Sequence, residues 1–266
     1  MNAATSGTWD GRSHSPTQLE PLAEYVLGLA DDALVLSHRL GEWIASAPQL
    51  EEDIALANIG LDLLGQARSL LGYAGELEGV GHDEDDLAYL RDERDYRNLQ
   101  IVEHLNGDFA LTMARQLAFS SYQYQLYDRL RTSADSTLAA VAGKALKEVA
   151  YHRDHATQWV LRLGDGTEES HRRMQAGLEE IWPYVAEIFD SWPVAKDGLA
   201  EIAVDPAVLR EPWTNYVAAV LAEATLAVPE PSFHSRGGRR GLHTEALGYL
   251  LAEMQHLHRA HPGATW

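Results

Sequence analysis

A chain of 266 residues with 45% apolar side chains can bury a substantial core, as one large domain or two small ones. Its formal charge of −19, from 40 acidic and 21 basic residues, opposes nonspecific attraction to nucleic acid or to anionic lipid. The lack of cysteine excludes thiol catalysis, disulfides, iron–sulfur ligation and cysteine-type zinc sites. No apolar run reaches bilayer-spanning length and nothing resembles a secretory leader, so a soluble, cytoplasmic protein is expected.

Residues 1–16 are rich in Ser, Thr and Gly and read as a disordered tail ahead of one domain over 17–266. A first helix is expected from Pro21 to about Ala47, where Leu22, Tyr25, Val26, Leu29, Ala33, Leu36, Leu40, Trp43 and Ile44 trace one stripe. Pro48 stops it. A second helix, Glu51 to Leu77, turns Leu56, Ile59, Leu63, Leu70 and Ala74 inward. Gly60 and Gly65 inside it lower its propensity and point to a neighbouring helix at close approach. A charged segment follows, Gly81 to Asn106, with the run Arg91-Asp92-Glu93-Arg94-Asp95. The third helix runs from about Asp108 to Arg131 and the fourth from about Ser136 to Leu163, ended by Gly164-Asp165-Gly166-Thr167 with Thr167 as the next N-cap. A fifth, about Glu168 to Phe189, is broken or bent near Pro183. A sixth spans Pro206 to Ala227 and a seventh Thr244 to Ala260. With no strand pattern and no repeat, the expected fold is all-α: a bundle of four long core helices with additional C-terminal helices.

Glu148, His152 and His155 interrupt the apolar stripe of the fourth helix, alongside Val141, Ala145, Trp159 and Leu163. Glutamate is seldom buried unless paired, and carboxylates and imidazoles facing a bundle interior suit a carboxylate-bridged di-metal centre of the ferritin-like kind. Such a centre takes one Glu from each of two helices and a Glu-x-x-His from each of the other two. The remaining positions fall short of that set. At i+3 from Glu148 stands Tyr151, with His152 one step later. The second helix offers Asp62 and Gln66, and the third presents Gln116 and Gln123, amides where carboxylates are needed. On the first helix Asp32 lies near the stripe's edge, while His38 and Glu42 face away. Two true Glu-x-x-His matches, Glu168–His171 and Glu253–His256, fall in a first helical turn and on an outward face, as surface coincidences. The plainer reading is a hydrogen-bonded polar cluster. Gln66 and Gln116 each donate and accept, so they can satisfy Glu148 and His152 without metal.

Other groupings carry less. Tyr122, Tyr124 and Tyr127 beside Gln123 and Gln125 have the spacing of core or interface packing. Arg236, Arg239 and Arg240, interleaved with glycines from Ser235 to Gly241, form a flexible basic loop on an acidic chain. That loop suits a contact with an acidic partner, or with phosphates through backbone amides and charge.

Two long blocks, Leu34-Val35-Leu36-Ser37-His38-Arg39-Leu40-Gly41-Glu42-Trp43 and Ala55-Leu56-Ala57-Asn58-Ile59-Gly60-Leu61-Asp62-Leu63-Leu64-Gly65-Gln66-Ala67-Arg68, closely resemble the C-type subunits of the bacterial phenylacetyl-CoA epoxidases. So do Lys147-Glu148 with Tyr151-His152, the stop Leu163 to Thr167, and the segments Gly241 to Glu245 and Ala252 to Gln255. The likeness runs from about residue 19 to Trp266. It implies a ferritin-like structural subunit that holds no iron itself and docks a homologous, iron-containing catalytic subunit. A further small subunit and an NADPH-dependent reductase with FAD and an iron–sulfur centre complete the implied monooxygenase, which epoxidises the aromatic ring of phenylacetyl-CoA in aerobic phenylacetate breakdown. Asp62, Gln66, Gln116, Glu148, His152 and His155 are then degenerate di-metal positions, and the phosphates that Arg236, Arg239 and Arg240 would meet are those of CoA. The alternative is a self-sufficient di-metal oxidase or oxygenase with atypical ligand spacing.

Overall fold

A computed structural model describes residues 20–191 and 199–264; the expected tail, residues 1–16, lies outside the described residues. Helix α1 (Pro21–Gly41) opens with proline, whose missing N–H and fixed φ suit a first turn. It is buried almost all round, unlike an ordinary surface helix. Leu27 and Leu34, off the main stripe, are buried within the same core. The helix ends at Gly41, short of the expected Ala47. Trp43 turns aside there: its indole N–H donates to Thr112 Oγ1 at 3.1 Å, its ring meets Phe109 edge-on, and Ala45, at φ 65°, donates its N–H to Asp53.

Helix α2 (Leu50–Glu78) packs on α1 as a hairpin and closes on Gly79 in the left-handed region, φ 67°. The helices come close at Gly60, where a Cβ would stand in van der Waals contact, 3.5 Å from the Ser37 carbonyl and 3.7 Å from Leu40 Cβ. Ser37 Oγ donates to the Gly60 carbonyl at 2.8 Å in the same contact. A Cβ on Gly65 would meet nothing within 4 Å, so the expected close neighbour is present for the first glycine and not for the second.

The charged segment folds into α3 (Glu84–Tyr89), a 3-10 turn at Glu93–Asp95 and α4 (Gln100–Glu103). The expected third and fourth helices are α5 (Phe109–Leu130) and α6 (Ser136–Gly164), capped by Asp108 and Asp135 side chains on the Leu111 and Leu138 amides. Helix α7 (Glu168–Val185) carries Pro183 inside and tightens into a 3-10 turn over Ala186–Phe189. It lies close on α5, where a Cβ on Gly177 would come within 2.9 Å of Leu111 Cα. A 3-10 turn at Pro206–Leu209 leads into α8 (Arg210–Glu223), and α9 (Glu245–Ala260) follows an N-cap at Thr244. Helix α8 stops before Ala227 because Thr225 takes φ 59° and the Leu226 N–H turns back to the Leu221 carbonyl. The described residues are all-helical in their regular structure, with one continuous apolar core drawn from α1, α2, α5–α9 and the segment between α2 and α5.

Candidate functional site

Two regions gather the buried polar side chains. The first lies around α1. Adjacent carboxylates on a helix point about 100° apart, so Asp31 and Asp32, both buried, meet different arginines. Arg91 grips Asp31 with two bonds, Nη1 to Oδ2 at 3.0 Å and Nη2 to Oδ1 at 2.5 Å, and the Arg97 amide adds a third at 2.8 Å. Arg239 grips Asp32 with Nη2 to Oδ2 at 2.6 Å and Nη1 to Oδ1 at 3.1 Å, while the Leu99 amide donates to Oδ1 at 2.7 Å. Burial pushes the Asp32 carboxyl up to about 6, with Arg239 and the Leu99 amide pulling against it. Such forked guanidinium–carboxylate pairs are geometrically specific and strong.

The glycine-rich arginine loop belongs to this region. Gly237 and Gly238 donate their amides to Glu187 Oε1 at 2.7 and 2.6 Å, and the Gln100 amide donates to Glu187 Oε2 at 2.8 Å. The amide cradle expected for phosphates is therefore filled by an internal carboxylate. Of the three arginines, Arg239 points inward and also donates to the carbonyls of Gly28 and Arg97. Arg236 pairs with Asp190, and Arg240 is exposed. Three anchored residues in a row make the loop a pinned corner, in place of the flexible basic loop expected from its composition.

The second region is the seam between α2 and α6, where the fourth-helix polar residues lie. Pairings at 62 with 152 and at 66 with 148 keep a constant sum, the signature of antiparallel helices. His152 Nε2 is 3.0 Å from Asp62 Oδ2. Burial lowers the His152 pKa, Asp62 opposing it, so a neutral imidazole donates through Nε2 at neutral pH. Gln66 Nε2 donates to Glu148 Oε2 at 3.0 Å, and Tyr127 OH donates to Gln66 Oε1 at 3.3 Å. Burial, with nearby Asp32, holds the Tyr127 phenol well above its ordinary range, so it remains a donor. His155 Nε2 lies 2.8 Å from Glu52 Oε2, which also accepts the Trp159 indole N–H at 2.8 Å.

The structure thus brings Asp62, Gln66, Glu148, His152 and His155 to one seam, as two-residue pairs. Gln116 is buried on α5, and its Oε1 accepts no hydrogen bond from the protein; it bonds neither Glu148 nor His152. Asp62, not an amide, satisfies His152. Sequence reasoning missed Glu52, although it falls four residues before Leu56 and seven before Ile59 on the buried stripe. Its place between Glu51 and Asp53 in a first turn hides it, because acids there also favour the helix dipole. The two Glu-x-x-His matches lie outside both regions. His171 Nδ1 bonds the Gly164 carbonyl at 2.7 Å, and Glu253 and His256 are exposed.

A di-metal centre needs carboxylates at the Gln66 and Gln116 positions, and imidazole nitrogens directed at a common point. Among the described residues no three His, Asp or Glu side chains come together in that way. Each seam imidazole instead directs Nε2 at its own carboxylate on α2. The donor set does not fit a di-iron centre. His152, with only 1% of its surface exposed, is also closed to a substrate.

Fold and seam together define an all-α helical-bundle protein with polar side-chain pairs between two of its long helices. The chain belongs to the phenylacetic acid catabolic protein family, whose model matches residues 6–266. It is 50% identical over 252 residues to the 1,2-phenylacetyl-CoA epoxidase subunit designated C in Escherichia coli (strain K12), a match covering 93% of this chain and 100% of that protein. Among the described residues no helix is long and apolar enough to cross a membrane.

Proposed function

We propose that the chain is the noncatalytic, ferritin-like structural subunit of a multicomponent di-iron monooxygenase that epoxidises the aromatic ring of phenylacetyl-CoA. In this reading residues 17–266 form one domain, working in the cytoplasm, that docks and supports a homologous iron-containing catalytic subunit. A small subunit and a reductase carrying FAD and an iron–sulfur centre supply the remaining parts. The observation that carries the reading is the Gln66–Glu148 hydrogen bond. It joins two of the four positions around which a di-metal centre would be built, with a neutral amide as donor. The pairs Asp62–His152 and Glu52–His155 support it further, because each closes one imidazole against one carboxylate. The name of the 50%-identical relative supplies the substrate class.

Reconstitution with the catalytic partner tests the proposal. The Glu148→Ala variant, assembled with that partner, is expected to keep turnover of phenylacetyl-CoA within about two-fold of wild type. Loss of turnover in a complex that still assembles would overturn it and favour the self-sufficient oxygenase.

A further inference from the structure

Helix α2 turns its buried stripe to α1 and its polar edge to α6, yet its outer face is not that of a solvated helix. Leu50, Ile54 and Leu61 are 70, 54 and 65% exposed. At 100° per residue they fall within about 40° of one another, and Gly65 and Gly72 continue the same stripe. A Cβ on either glycine would meet nothing within 4 Å, so neither glycine is required by packing among the described residues. Helical glycine destabilises an isolated helix relative to alanine. From Leu50 to Gly72 the stripe extends about 33 Å, the length of a long docked helix.

Across the seam, α6 continues this face. Tyr151 is half exposed, its ring 6.0 Å from that of His155. A cleft of about 230 Å³ lies between the helices, floored by Gln66 and Glu148 and edged by Gly65, Ser69 and Lys144. The chain has three lysines, Lys144, Lys147 and Lys196. Lys144 lines this cleft and Lys147 lies three residues further along α6, both exposed and, among the described residues, in no ion pair.

Resting on the structural-subunit reading, we infer that the α2–α6 face is the docking surface for the homologous catalytic subunit. Its occupant is a helix that lays small or apolar side chains along Leu50, Ile54, Leu61, Gly65 and Gly72 and sets a carboxylate opposite Lys144 and Lys147. Charge selects a different chain over a second copy. At −19 two copies repel, whereas two unpaired cations at the edge of an apolar stripe complement an acidic partner.

The test is titration of the full chain with the purified catalytic subunit, read as Kd by sedimentation, beside the melting temperature of the chain alone. Ile54→Glu with Leu61→Glu is expected to weaken binding by about 100-fold or more, as charges set into a buried patch do. Lys144→Glu with Lys147→Glu is expected to weaken it about 10-fold and to flatten its salt dependence. Gly65→Ala with Gly72→Ala is expected to raise the melting temperature of the isolated chain while weakening the complex, a combination that misfolding cannot mimic. Tyr249→Glu, on the exposed side of α9, should leave Kd unchanged. Wild-type binding that survives every α2 and α6 substitution would overturn this surface and leave the structural-subunit reading standing. No binding by the wild-type chain would overturn both. A wild-type homodimer broken by Leu61→Glu would make the occupant a second copy, and so overturn the assignment.

Discussion

The arginine–carboxylate cluster around α1 and the polar seam between α2 and α6 use the same residue types to opposite ends. Around α1, Asp31, Asp32 and Glu187 each accept three hydrogen bonds from forked guanidinium groups or backbone amides. Their partners come from the charged segment and the loop before α9. The cluster ties sequence-distant elements together, and none of its carboxylates is free for other chemistry. Along the seam each contact is one or two hydrogen bonds between side chains, with Asp62 part exposed. The difference separates a cluster that ties distant segments of the fold together from a seam of side-chain pairs between two neighbouring helices.

The largest effect is expected in the cluster. Arg239→Met leaves Asp32 buried without its counter-charge and should cost about 3–5 kcal/mol, read from urea denaturation. A loss below about 1 kcal/mol would show that the cluster does not organise the fold. Glu52→Ala strips the shared acceptor from His155 and Trp159 and should cost about 1–3 kcal/mol. If that cost matched Arg239→Met, the distinction between the two regions would collapse.

A smaller, pH-dependent effect belongs to His243. Its Nδ1 lies 3.3 Å from Glu103 Oε2, an ion-pair contact off hydrogen-bond geometry, and Glu103 Oε1 accepts the Thr244 amide at 2.9 Å. Burial works against the charged imidazole, but Glu103 and the Tyr96 carbonyl outweigh it, so the pKa is raised above 6.5. The stabilisation is therefore complete below pH 6.5 and lost as pH rises through the raised folded value. Buried His152 shifts the other way, so the readout is the melting-temperature difference between wild type and His243→Gln. That difference should shrink as pH rises from 6 to 8. A difference independent of pH would mean that His243 is neutral in the fold. The smallest effect is expected of Glu148→Gln, which keeps an acceptor for Gln66 and should stay within about 0.5 kcal/mol of wild type. A larger loss would mean that the seam depends on the charge of Glu148.

Helical periodicity made the long elements legible. The α2, α5, α6 and α9 boundaries fall within about two residues of expectation because caps and breakers such as Asp108, Asp135, Thr167 and Gly79 act locally. Trp43 defeated the expected end of α1, since its place depends on Thr112 and Phe109, far along the chain. At the seam, the stripe of α6 placed Glu148, His152 and His155 together correctly, yet gave no means of choosing their partners. The Asp62–His152 and Glu52–His155 pairs depend on the relative register of α2 and α6, which tertiary packing sets. The arginine loop misled for a related reason. Composition shows glycines and cations, but only the fold shows Glu187 and Asp32 beneath them.

In the proposed assembly the chemistry lies in the partner and this chain supplies structure. Iron-loading the purified full-length chain alone, then measuring metal by elemental analysis after desalting, tests that division most directly. No stoichiometric iron is expected on the isolated chain, with iron appearing only when the catalytic subunit is present. Roughly two irons per isolated chain, the complement of a di-metal centre, would contradict it.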